Sequence, residues 1–69
     1  MSFEGVRWQE SSGAALTCHE KLKVLAENLT ELQAMAQDVF EEALILKVDE
    51  QQIRHVLAET IDQMENPYA

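Results

Sequence analysis

Residues 14–47 read AALTCHEKLKVLAENLTELQAMAQDVFEEALILK. Within them Ala15, Cys18, Leu22, Leu25, Leu29, Leu32, Ala36, Val39, Ala43 and Leu46 follow one another at alternating spacings of three and four, without a miss. Side chains at that spacing line one stripe of an α-helix, and more than four heptads of it form a seam of the coiled-coil kind. The charges fit the same frame. Glu20, Lys23, Glu27, Glu31, Asp38 and Glu41 fall on the outer b, c and f positions, as a solvated face requires. No Gly or Pro interrupts the chain from Ala14 to Glu65, where Ala, Leu, Glu, Gln and Lys predominate. These are the residues that lose least on entering a helix. Asn66-Pro67 ends the helical stretch, because the residue before Pro is pushed out of the helical region.

The seam widens near residue 40. Met35 and Phe40 flank it, and Leu44 and Ile45 extend it towards the outer surface. A helix that is apolar nearly all round is covered on more than one side, so Val39 to Leu46 is expected to meet two neighbours and to form the centre of the core. Just beyond lie two concordant helix-start signals. Asp49 and Gln52 have capping-box spacing, and Val48 and Ile53 occupy the two positions of a hydrophobic staple. A second helix from about Glu50 to Glu65 then presents Ile53, Val56, Leu57, Ile61 and Met64 on one face.

The expected fold is therefore all-α: a helical hairpin of one long helix (about 14–47) and one short helix (about 50–65), completing a bundle or coiled coil by dimerisation. One continuous coiled-coil helix is the alternative, because the first heptad frame carries on through Ile53, Leu57 and Met64. A break near Asn28 or Thr30, giving three helices, is a further one. Residues 1–13, with Gly5 and Ser11-Ser12-Gly13, read as a flexible tail ahead of a single helical domain at 14–66, and residues 67–69 as a C-terminal tail. At about 1.5 Å per residue the short helix covers only part of the long one, which leaves Leu22, Leu25 and Leu29 in need of cover. Phe3 and Trp8 on the tail offer apolar area for this, or else anchor a partner. Better cover comes from a second copy of the chain.

Composition narrows the function. The chain has 69 residues, 13 acidic against 5 basic, and a net charge of -8. Nucleic-acid backbones and anionic membrane surfaces call for clustered Lys and Arg, so neither is an expected partner. The longest apolar run, Ala43 to Leu46, is far short of the roughly 20 residues that span a bilayer. Residues 1–8 carry no basic cluster and no apolar run of the secretory kind, and the expected location is cytoplasmic. A single Cys gives neither an internal disulfide nor a multi-Cys zinc site.

Candidate chemistry is sparse. Cys18, His19 and Glu20 are adjacent, so on a helix they point about 100° apart and cannot converge on one ion. Cys18 itself reads as a small buried seam residue. His55, Glu59 and Asp62 form a stripe on the second helix that reads as surface ion pairing. Glu41-Glu42 reads as solvated face, and no phosphate-binding or nucleophile motif occurs. The sequence thus predicts a non-enzyme without cofactor, metal or small-molecule substrate. It reads as a small acidic helical protein–protein interaction module, of adaptor, chaperone or anti-activator type, that packs helices with itself as a homodimer or with another protein. Its interaction residues are Leu22, Leu25, Leu29, Leu32, Val39, Phe40 and Leu46, with Phe3 and Trp8 as partner anchors. The alternative is an acidic nucleic-acid mimic that blocks a basic nucleic-acid-binding protein, with the acids of the outer face standing in for phosphates.

Overall fold

The computed structural model describes residues 3–68 and contains two helices, α1 (His19–Ile45) and α2 (Glu50–Asp62), which make an all-α helical hairpin. The chain divides into two units, one ending at Ala34 and the other beginning at Met35, with α1 continuing through both.

In the first unit the helix begins later than composition suggests. Ala14 to Cys18 are residues a helix accepts, yet they are not helical. Gly13 adopts φ +93°, a conformation open to Gly because it has no Cβ, and it turns the chain back on itself. Its N–H donates to the Glu10 carbonyl at 2.9 Å. Glu10 N–H then donates to the Ala14 carbonyl at 2.8 Å, and Leu16 N–H to the Trp8 carbonyl at 3.1 Å. Gln9 and Ala15 face each other as an antiparallel bridge. Backbone groups committed to this pairing cannot also enter the helical ladder, so α1 opens only at His19, with Leu22 N–H bonded to the Cys18 carbonyl at 3.1 Å. Ala15 and Cys18 therefore drop out of the helical seam, and Cys18 is exposed instead of buried.

Nothing breaks α1 at Asn28 or Thr30. The Thr30 hydroxyl donates to the Ala26 carbonyl at 3.0 Å, an i to i−4 bond that lets Thr remain inside a helix. Three short helices are excluded on that account.

In the second unit the chain turns where the start signals lie, which rules out the single continuous rod. Lys47 N–H donates to the Leu44 carbonyl at 3.0 Å and Val48 N–H to the Ala43 carbonyl at 2.9 Å. This pair of bonds closes α1 as a Schellman motif, with Lys47 in the left-handed position at φ 69°. The Asp49 side chain then accepts from Gln52 N–H at 3.0 Å and caps α2. Both ends of the turn are open to test. Replacing Lys47 by Gly is expected to raise stability by about 0.5–1 kcal/mol, because a Cβ is unfavourable at positive φ. Asp49→Ala is expected to lower it by about 1 kcal/mol. Paired urea melts check both, and a loss of stability in Lys47→Gly would contradict the closing geometry.

α2 packs on the last turns of α1. Ala43 is buried there, and Phe40, Val48, Ile53 and Leu57 are half-buried. Each of those four side chains contributes on the order of 1 kcal/mol at that degree of cover. Arg54 lies over the Phe40 ring at 4.6 Å from its centroid, so its guanidinium caps the aromatic face. The rest of the expected core is not one. Leu44, Ile45 and Leu46 are exposed, because a single helix of 13 residues covers one side of α1 and Val39 to Leu46 carries apolar residues on several. Val56, Ile61 and Met64 on the second arm are exposed as well, and α2 ends at Asp62, short of Met64.

Candidate interaction surface

The site is best built from what is covered and what is left open along α1. In the first unit, Ala26 is buried and Leu22 and Leu29 are half-buried. Residues ahead of the Gly13 turn supply part of the cover. Phe3 and Trp8 are themselves half-buried, and with Val6, Leu22 and Ala26 they line a groove of about 280 Å³. Glu4, His19 and Lys23 are the polar members of that groove. Leu25 and Leu32 stay open, at 38% and 44% exposed, and Val24 is open beside them.

In the second unit, Ala36 and Phe40 are half-buried and Ala43 is buried, whereas Met35 is 67% exposed, Val39 40% and Leu46 69%. The eight seam residues from Leu22 to Leu46 thus fall into two sets with different fates. Leu22, Leu29, Ala36 and Ala43, at the a positions, are covered by the chain itself. Leu25, Leu32, Val39 and Leu46, at the d positions, are more open, from 38% exposed at Leu25 to 69% at Leu46. Ala26 and Phe40, which the heptad frame puts at e, join the covered set, and Met35 at g joins the open one. Met35 is the member that the seam did not include. Its signal is present only as a flanking apolar residue, seven positions after the polar Asn28.

Groups that suggest chemistry are dispersed. His55 Nε2 lies 2.9 Å from Glu59 Oε1 and Arg54 Nε lies 3.1 Å from Glu50 Oε2, both as exposed i, i+4 pairs on α2. Exposed pairs of this kind contribute a few tenths of a kcal/mol. Asp62 takes no part in either pair. Glu41 and Glu42 are exposed. Among the described residues no group of three or more His, Cys, Asp or Glu is placed to hold a metal ion, and no buried side-chain N or O lacks a hydrogen-bond partner. No described helix is long and apolar enough to cross a membrane.

What this arrangement offers is apolar contact area on a regular helical face, with acids around it. Comparison of the chain with protein-family models, with curated proteins and with solved structures gives no match.

Proposed function

We propose that this chain is a small acidic helical interaction module, of adaptor, chaperone or anti-activator type, which acts by packing the open face of α1 against another helix. One observation carries the reading. Large apolar side chains of α1 stay in water within each unit: Val24 is 54% exposed and Leu32 44% in the first, Met35 67% and Val39 40% in the second. Leaving large aliphatic side chains in water is what association relieves. The reading carries no enzyme activity, cofactor, nucleic acid, membrane or small-molecule substrate, and the proposed location is cytoplasmic. Tethered helical faces of this kind are read by partners through residues at i, i+3, i+4 and i+7.

Charge favours a second reading. The chain carries 13 acids against 5 bases, and Glu20, Glu27, Glu31, Asp38 and Glu41 are exposed. An acidic mimic of nucleic acid would use those outer acids, and it would bind a basic protein with steep salt dependence. Affinity capture from native lysate at low and moderate salt separates the two, with light scattering on the purified chain alongside. The packing module predicts association that is nearly indifferent to salt. A monodisperse monomer that melts cooperatively and captures nothing at either salt concentration overturns the module.

A further inference from the structure

The second unit, which begins at Met35, leaves one side of its helix pair open. Successive residues of a helix lie about 100° apart, and on α1 the buried Ala43 falls between Phe40 on one side and Val39 on the other. Arg54 of α2 lies over the Phe40 ring, which puts the Arg54 edge of α2 on the Phe40 side. The half-buried Ile53 and Leu57 come next round α2, and Val56 follows at about 160° from Arg54, on the Val39 side. Met35 and Leu46 stand in line with Val39, and the Leu46 N–H still donates to the Glu42 carbonyl in helical fashion. Met35, Val39, Leu46 and Val56 thus share one side, and all four are exposed.

The charges around that side have one sign. Asp38 and Glu42 flank the apolar residues of α1, and Glu59 lies one turn from Val56; all three are exposed. Glu41, Asp49, Glu50, Asp62 and Glu65 add to the same sign, which makes eight acids against two bases in residues 35–69. Of the two bases, Arg54 is held over Phe40 and 3.1 Å from Glu50 on the opposite side, and Lys47 sits in the turn beyond Leu46. His55 is already paired with Glu59.

We infer that this side of the second unit docks an amphipathic helix of a partner protein whose apolar stripe is edged by Lys and Arg. The inference rests on the packing-module reading and names the chemistry of the partner. Met35 to Leu46 spans about 16 Å, or about three turns of such a helix, whose apolar residues at i, i+4 and i+7 cover the stripe. Its cations then meet Asp38 and Glu42 along one edge and Glu59 along the other. The same charges select against a second copy at this place, because a two-fold axis sets acids against acids. Self-association is left to the open residues of the first unit, Leu32 among them.

Binding of labelled synthetic peptides to the full-length chain, read by fluorescence anisotropy, tests this. One peptide of about 18 residues, long enough to hold a helix, carries Leu at i, i+4, i+7 and i+11 with Lys around them. A second keeps the leucines and replaces every Lys by Glu. At low salt the Lys peptide is expected to bind at least about tenfold more tightly than the Glu peptide. Moderate salt is expected to weaken it by no more than about threefold, because exposed pairs at a rim set the association rate more than the affinity.

Variants separate docking on this side from attraction to the whole acidic chain. Met35→Gln is expected to weaken the Lys peptide about tenfold, whereas Ile61→Gln, exposed on the Arg54 side of α2, leaves it within about twofold. Glu42→Lys is expected to weaken it about tenfold and Glu41→Lys, on the outer face, by less than about threefold, although both change the net charge equally. All four sites are exposed, and an unchanged circular dichroism melt confirms that each variant folds. Equal effects of Glu41→Lys and Glu42→Lys with none from Met35→Gln would mean unspecific attraction and overturn the inference. Equal binding of the two peptides, still weakened by Met35→Gln, keeps the packing module and overturns the basic partner. Binding of neither peptide also overturns the inference, and capture from lysate then decides the module separately.

Discussion

Leu32→Glu is expected to abolish self-association, raising the dimer dissociation constant on the order of a thousandfold. Leu32 is one of the open apolar residues of α1 and keeps 44% of its surface exposed in the single chain. Covering that remainder contributes on the order of 1 kcal/mol per side chain, and a two-fold pair contains two of them. Glutamate loses this term and adds a second, because a carboxylate placed at an apolar contact must be stripped of water without a cationic partner. Together the two copies lose about 4 kcal/mol, and each 1.4 kcal/mol is a factor of ten. Glutamate favours helix about as well as leucine, so α1 itself is not at risk. Ala34→Glu is the matching control: it lies two residues away on the exposed outer face and is expected to leave the dissociation constant within about threefold. Sedimentation of the three chains in parallel provides the measurement. Equal behaviour of Leu32→Glu and Ala34→Glu would remove Leu32 from the interface.

The contrast between Leu32 and its neighbours also shows which parts of this structure a sequence can carry. Asp49, Gln52, Val48 and Ile53 locate the turn because capping and stapling are local: the donor, the acceptor and the two apolar groups lie within six residues. The end of α1 is harder to read. Schellman closure usually takes Gly at the left-handed position, and here Lys47 takes it, so no glycine marks the stop. The start of α1 is harder still. Ala14 to Cys18 suit a helix by composition, and what keeps them out is the pairing of Ala15 with Gln9 across the Gly13 turn, an interaction that helix propensity does not register.

The seam was legible as a seam, but its two halves were not. Leu22 and Leu25 are equally apolar and equally periodic, as are Leu29 and Leu46, yet Leu22 and Leu29 are half-buried whereas Leu46 is 69% exposed. Periodicity reports that a face seeks cover and does not say what covers it. A weaker signal was available in the small residues. The two residues buried in the described chain, Ala26 and Ala43, are both alanines, and a small side chain is what allows another segment to approach a helix closely. Reading alanines as points of close approach, and leucines as the area around them, separates the covered residues from the open ones better than hydrophobicity alone.

That distinction makes Ala43 the position where one substitution should do most to the fold. Ala43→Glu is expected to detach α2 and to remove about a third of the helical circular dichroism signal, since α2 supplies 13 residues beside the 27 of α1. Ala43 is buried in the unit where Phe40, Ile53 and Leu57 are half-buried. A glutamate there brings both excess volume and an unpaired carboxylate, a combination that costs about 2–4 kcal/mol. The half-buried side chains that hold the hairpin together supply only a few kcal/mol between them. An isolated helix of α2's length is marginal in water, so once released it unfolds and does not persist as a free arm. The damage is expected to stay local, with limited proteolysis opening the chain between Leu46 and Asp62 while residues 19–34 remain protected. Ala34→Glu again provides the reference, because it adds the same side chain to the same helix at an exposed position. Full helicity and an unchanged melt in Ala43→Glu would mean that α2 is held by some other contact.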